Sequence, residues 1–279
     1  MTRQEGASAA DLADTSGDDS RFDVGVAHVA RVYDYWLGGK NNFTADRIAG
    51  DKTMAVYPGI RLSAQANRAF LARAVRYLAA TEGVRQFLDI GTGLPTANNT
   101  HTVAQASAPE SRIVYVDNDP LVLAYARALL TSHPAGATAY LDADLRDTDH
   151  ILAQAAATLD LTRPVAIMLI AILHYIPDPA QVRQIVARLL AAVPSGSFLV
   201  ISHAGSDLLP NEIGPFEKSL NEHLPGGRHV ARPHDAVARF FAGTELLEPG
   251  VVRVSSWRPD SAAEAATPTT LWGGVARKP

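Results

Sequence analysis

Between Arg61 and Ala80 apolar residues recur at three- and four-residue spacing, and Leu62, Ala66, Ala69, Phe70, Ala74, Tyr77 and Leu78 share one face. The spacing predicts an amphipathic helix. Downstream the pattern changes to short apolar runs at 85–90, 112–116, 138–141, 164–173 and 197–202, which read as strands. Helical stretches near 99–107, 120–131, 148–159 and 179–193 separate them. Asp119-Pro120 and Asp178-Pro179 open two of these stretches, with Asp as N-cap and proline in the first turn. Strands alternating with helices predict a parallel sheet covered on both faces. Residues 207–242 read as a helical insertion, and the runs 250–257 and 270–277 as an antiparallel pair closing the sheet. Residues 23–279 therefore read as one α/β domain without an internal repeat.

Composition bounds the partners. Residues 1–22 are rich in Ala, Asp, Ser and Gly and read as a disordered acidic lead-in. Residues 1–23 hold Glu5, Asp11, Asp14, Asp18, Asp19 and Asp23 against Arg3 and Arg21, which accounts for the whole net charge of -4. The balanced remainder offers no basic face, so nucleic acid is not expected as a partner. Cysteine is absent, which removes disulfides and thiolate chemistry and suits a reducing compartment. The polar start has no signal-peptide pattern, and the apolar run 165–173 is too short to span a bilayer. A cytoplasmic protein with no membrane partner is the expectation.

The densest chemistry lies at Phe87-Leu88-Asp89-Ile90-Gly91-Thr92-Gly93. An apolar strand runs into an acid and then two glycines, which let a ligand approach the main chain closely. A dinucleotide fingerprint would place a third glycine at position 96, which is Thr96, and would start a helix at once. Pro95 and the polar run 96–101 delay that helix, a poor fit to a pyrophosphate. Asp89 suits a ligand that carries an amino group. At the end of the second strand, Asp117 is placed to accept hydrogen bonds from ribose hydroxyls, as NAD would also require, while Asp119 caps the next helix. Among the acids after the third strand, Asp144 is placed to accept from the exocyclic amine of an adenine, with Leu145 against the ring.

Two further segments carry polar groups. The stretch around RVYDYWLGGKNNF offers Arg31, Tyr33, Asn41 and Asn42 as ligand-holding candidates, and Gly38-Gly39 permits a turn that folds it over the pocket as a water-excluding lid. Packed aromatics before a simple turn are the structural alternative. His174, after the fourth strand, is the catalytic candidate, as a general base toward a hydroxyl or amine or as a positioning group. His203 is a weaker candidate of the same kind. His229 and His234 lack an acid in zinc-site order, so they read as part of a surface loop, and no metal is expected.

Together, DxGxG at 89–93 and the acids after the second and third strands resemble a class I S-adenosylmethionine-dependent methyltransferase. More narrowly, RVYDYWLGGKNNF, FLDIGTGLPT, YVDNDP, DADLRD and AILHYIPD resemble the actinobacterial S-adenosyl methyltransferase family, formerly a domain of unknown function, from about residue 22 to the C-terminus. The resemblance implies a Rossmann-like α/β fold with a seven-stranded, mostly parallel sheet and an N-terminal helical lid over 23–80. It implies S-adenosylmethionine as cofactor, S-adenosylhomocysteine as product and a small-molecule methyl acceptor. It also implies cofactor contacts at Asp89, Gly91, Gly93, Asp117, Asn118, Asp144 and Leu145. Pro95 departs from the general pattern, which has a third glycine there, and matches the narrower family. Two alternatives stand beside this one: a cofactor-binding regulatory protein without turnover, and an NAD-dependent oxidoreductase, which Thr96 and the delayed helix disfavour.

Overall fold

The computed structural model describes residues 23–96, 98–129, 131–225 and 228–279, so the acidic lead-in lies outside it. Five parallel strands make the centre of the sheet: β1 (Gln86–Ile90), β2 (Arg112–Asp117), β3 (Ala137–Asp142), β4 (Ala166–Ile170) and β5 (Phe198–Ala204). Their order is β3-β2-β1-β4-β5, so strand order reverses between β1 and β4. That reversal opens a crevice beyond the carboxyl ends of the strands, where open α/β sheets bind ligands. The register sets Ile90 opposite Val116, which brings the glycine loop after β1 and Asp117 at the end of β2 to one edge.

Past β5 the sheet turns antiparallel. β8 (Leu271–Arg277) pairs along the whole of β5, and β6 (Glu245–Leu246) and β7 (Val252–Arg253) both pair with β8. The sheet thus has eight strands rather than the predicted seven. The run 250–257 supplies only β7 before a single 3-10 turn at Val254–Ser256. β6 is two exposed residues long, too short to carry a period.

Successive strand residues face opposite sides. Leu88, Ile90, Ile167 and Leu199 pack with Ile151 of α6 (Thr148–Ala155) and with Val182, Val186 and Leu189 of α7 (Pro179–Ala191). Phe87, Ile113 and Val200 face the other layer, formed by Phe70, Ala74 and Leu78 of α3 (Ile60–Ala80) with Trp257. Arg73 pins α3 there: its guanidinium donates to the carbonyls of Trp257 at 2.9 Å and Val254 at 2.6 Å and pairs with Glu264.

A separate apolar cluster lies above the strand ends. Val32 and Trp36 of α1 (Val29–Trp36) meet Ile60 at the start of α3 and Ile213, Phe216 and Leu220 of α8 (Pro210–His223). α2 (Thr44–Val56) packs on α1 and α8 from outside. The roof is therefore built from both the N-terminal segment and the insertion, while most of α3 belongs to the sheet-covering layer.

Asp34 shapes the turn between α1 and α2. Its carboxylate accepts from the Asn41 amide at 3.0 Å and from Nδ2 of Asn42 at 2.8 Å. Gly38 has φ +83°, and a Cβ at Gly39 would land on the Asp34 carboxylate. A buried carboxylate needs such partners, and the polar run GGKNN supplies them.

Candidate active site

The main cavity opens at the carboxyl ends of β1, β2 and β4 and runs under the roof to α8. Its floor begins with the loop Gly91–Gly93. Both glycines take left-handed backbone, φ +74° and +66°, which other L-residues adopt only at a cost. Their surroundings differ. A Cβ at Gly91 would meet Ile172 at 2.6 Å, whereas a Cβ at Gly93 would meet nothing within 4 Å and would project into open space.

Three acids surround this loop. Asp89 is buried, accepts from the Thr100 hydroxyl at 2.6 Å, and is pushed up by burial to about 6. Asp117 accepts from the amides of Gly93 at 2.8 Å and Asp119 at 3.0 Å. Burial raises its pKa, and those two amides partly oppose the rise. Two bonds leave further lone pairs on the Asp117 carboxylate for a ligand. Asp144 is more open and pairs with its neighbour Arg146 at 2.9 Å, while Leu145 is buried beneath it. Asn118, Asp144 and Leu145 all line the cavity.

The N-terminal candidates divide. Tyr33 lines the cavity, donates to the Ala64 carbonyl at 3.2 Å and accepts from Nδ2 of Asn67 at 3.0 Å. Arg31, Asn41 and Asn42 are not among the lining residues. Arg31 donates to the Val26 carbonyl at 2.6 Å and pairs with buried Asp46 at 3.2 Å, and Asn41 and Asn42 hold Asp34. Two buried carboxylates thus engage the polar groups that the sequence offered to a ligand.

At the far end His174 is buried, with its Nδ1 3.4 Å from the Ala204 amide. That nitrogen faces a donor, so the neutral ring carries its proton on Nε2. His229, placed in a surface loop by the sequence pattern, is instead buried, and its ring centroid lies 4.5 Å from that of His174. Asn221 of α8 holds the His229 backbone in both directions, donating to its carbonyl at 3.0 Å and accepting from its amide at 2.7 Å. Burial lowers both rings, His229 to about 3, with nearby positive charge of Arg232 adding to the effect. His203 lies behind the cavity wall: Arg232 donates to its Nε2 at 2.8 Å, and its Nδ1 donates to the Ala204 carbonyl at 2.8 Å.

Three lining residues went unnoticed in the sequence, His28, Asn67 and Arg68, and His229 was read as part of a surface loop. Asn67 lines the cavity and is almost fully buried, with no hydrogen-bond partner for its Oδ1. On α3 it sits one residue from the apolar stripe, and nothing in the helical period marks it.

Two left-handed glycines, one of them beside open space, an acid at each of three strand ends and an unsatisfied buried amide fit an adenosine ligand with an amino-acid tail. They fit a dinucleotide poorly. The helix after the glycine loop, α4 (Thr100–Ser107), starts seven residues beyond Gly93 and sets no helix N-terminus close behind it. Fold and site together define a Rossmann-like methyltransferase.

The family model for S-adenosyl methyltransferase matches residues 15–279, and the chain belongs to that family. It is an S-adenosylmethionine-dependent methyltransferase, and S-adenosylmethionine is its cofactor. A DUF574 family protein from Streptomyces avermitilis MA-4680 is 46% identical, with a TM-score of 0.88 over 92% of this chain and 99% of that one. A protein of Thermobifida fusca YX named as a methyltransferase candidate is 39% identical, with a TM-score of 0.84 over 95% and 99%. The plantazolicin methyltransferase BpumL, in complex with S-adenosylhomocysteine, shares the fold at 10% identity and a TM-score of 0.51 over 90% and 95%. No curated protein matches the chain. Among the described residues no helix is long and apolar enough to cross a membrane.

Proposed function

We propose that the chain transfers a methyl group to a small molecule enclosed under the roof, in the cytoplasm. One observation carries this: the cavity that begins at Gly93 continues into a chamber roofed by Trp36 and Phe216 and ending at His174 and His229. Such a chamber suits a compact acceptor better than a polymer chain.

When bound, S-adenosylmethionine supplies an electrophilic methyl group on a sulfonium. Asp89 would hold its amino group, Asp117 its ribose hydroxyls, and Asp144 its adenine amine, with Leu145 against the base. Asn118, exposed on the cavity rim, would cover the same end. Gly91 and Gly93 let the backbone come close. Tyr33 and Asn67 border the passage from the cofactor end to the chamber. His174 would orient the acceptor, its Nε2–H directed away from the bond at Nδ1. A roof closed over both reactants would exclude water and let their alignment supply much of the rate. Arg31, Asn41 and Asn42 would act at a distance by holding the roof in shape.

A panel of small hydroxyl, amine and carboxylate compounds, incubated with S-adenosylmethionine and followed by S-adenosylhomocysteine release, tests the proposal. Turnover of at least one small compound is expected. Turnover confined to a polymer would contradict it.

A further inference from the structure

The chamber at the far end is apolar and aromatic. Trp36 and Phe216 lie 5.8 Å apart between centroids, Phe216 and His229 6.3 Å, and His174 and Tyr175 4.6 Å. Ile213 and Leu220 complete the wall. Of the charged lining residues, Asp89, Asp117 and Asp144 follow the strand ends, and Arg146 pairs with Asp144 and donates to the Tyr175 carbonyl at 3.2 Å. Among the described residues, no Asp, Glu, Lys or Arg of α1 or α8 lines the cavity. An ionised acceptor would enter such a chamber uncompensated, at several kcal/mol per ion by general experience, whereas a flat neutral ring meets matching faces.

The polar atoms available there are the two imidazoles. Nδ1 of His174 faces the Ala204 amide, so Nε2 donates. Nδ1 of His229 is buried, has no hydrogen-bond partner, and lies 3.9 Å from Oε2 of Glu217. Glu217 is fixed by the Ala231 amide at 2.9 Å. At 3.9 Å the pair is not a hydrogen bond, but the charge of the carboxylate favours the proton on Nδ1 of the neutral His229 ring and leaves Nε2 as an acceptor. Neither Nε2 makes a hydrogen bond to a described residue. One donor and one acceptor on rings 4.5 Å apart match a hydroxyl, which accepts one bond and donates one.

We propose, resting on the methyl-transfer function above, that the acceptor is a neutral aromatic compound methylated on a ring hydroxyl, with His229 as general base, Glu217 as its positioning residue and His174 as donor. As an oxygen lone pair forms the bond to the methyl carbon, the hydroxyl becomes more acidic than even a buried imidazolium, and its proton then moves to Nε2 of His229. The carbon–sulfur bond breaks with its electron pair left on sulfur, so the positive charge passes from sulfonium to imidazolium. Glu217, behind Nδ1, offsets that charge.

The test uses three probes of one shape, 2-naphthol, 2-naphthoate and 2-naphthylmethylammonium, titrated into the full chain saturated with S-adenosylhomocysteine. 2-Naphthol is expected to bind at least tenfold more tightly than either ion, and with S-adenosylmethionine to give 2-methoxynaphthalene. His229→Phe should lower kcat about 100-fold or more, the usual reach of a general base, with 2-naphthol affinity held within about threefold. Glu217→Gln keeps an acceptor for the Ala231 amide and should lower kcat about tenfold at nearly constant KM, which keeps the test decisive if the first variant does not fold. Equal binding of an ion overturns the proposal. So does 2-naphthol that stays unbound or unmethylated while S-adenosylhomocysteine binds, or kcat that survives in a folded variant. Failure of S-adenosylhomocysteine itself to bind overturns the underlying methyl-transfer function instead.

Discussion

Nδ1 of His28 lies 2.9 Å from Oδ2 of Asp119, joining the residue before α1 to the loop that leaves β2. Two acceptors would repel at that distance, so the proton sits on Nδ1. The 3.4 Å approach of the Ala30 amide to the same nitrogen is then a contact rather than a bond. Burial alone would raise the Asp119 carboxyl, but the His28 bond and charge and the Leu121 amide outweigh it and hold its pKa down. The roof is thereby tied to the strand edge that carries Asp117. His28→Ala should loosen this tie and raise the cofactor dissociation constant about three- to tenfold, roughly the worth of one partly exposed charged hydrogen bond. Calorimetry reads it, and unchanged affinity would free the roof from any part in binding.

Asp89 gives a pH dependence with a defined sign. Its folded pKa, about 6, stands above the ordinary carboxyl value. The folded state therefore binds more protons than the unfolded one between about pH 4 and pH 6, and stability falls as pH rises through that window, then levels. Asp89→Asn should stabilise the ligand-free protein at pH 7.5 by about 1–3 kcal/mol and at the same time weaken cofactor binding. In the unmutated chain, affinity should be about tenfold lower at pH 5 than at pH 7.5, because a cationic amino group needs the ionised carboxylate. Thermal melts and titrations at the two pH values check both halves. A flat affinity profile would move Asp89 out of the site.

The two loop glycines should respond differently to alanine. Gly91→Ala would bring a methyl to 2.6 Å from Ile172 as well as force φ +74°, and should destabilise the fold. Gly93→Ala meets open space and should cost only the backbone term, about 1–2 kcal/mol. Its cofactor affinity should drop by more than its stability, because that open space is the cavity. Melting and titration of both variants separate the effects; equal losses of affinity and stability at Gly93 would count against cofactor contact there.

Gly39→Ala would place its methyl on the Asp34 carboxylate and break the turn between α1 and α2. Faster proteolysis near residues 38–43 is expected, with weaker cofactor binding and little change in the sheet's melting. An intact turn would show that Asp34 can rotate away.

The sheet was legible because β1, β2, β4 and β5 are fully or almost fully buried runs between clear helix periods. The strand-end side of the cavity was legible too, since Asp89, Gly91, Gly93, Asp117 and Asp144 follow directly on strand ends and all line it. The chamber was not. His229 and Phe216 reach His174 only through the roof cluster that joins α1, α3 and α8, and no local period reports such a distant contact. Asn41 and Asn42 looked like ligand donors because nothing local reveals that Asp34 claims them.

The most direct measurement is a parallel calorimetric titration of the purified chain with S-adenosylmethionine, S-adenosylhomocysteine and NAD. The account predicts one-to-one binding of the first two and none of the third. Binding of NAD alone, or silence from all three on folded, ligand-free protein, would contradict it.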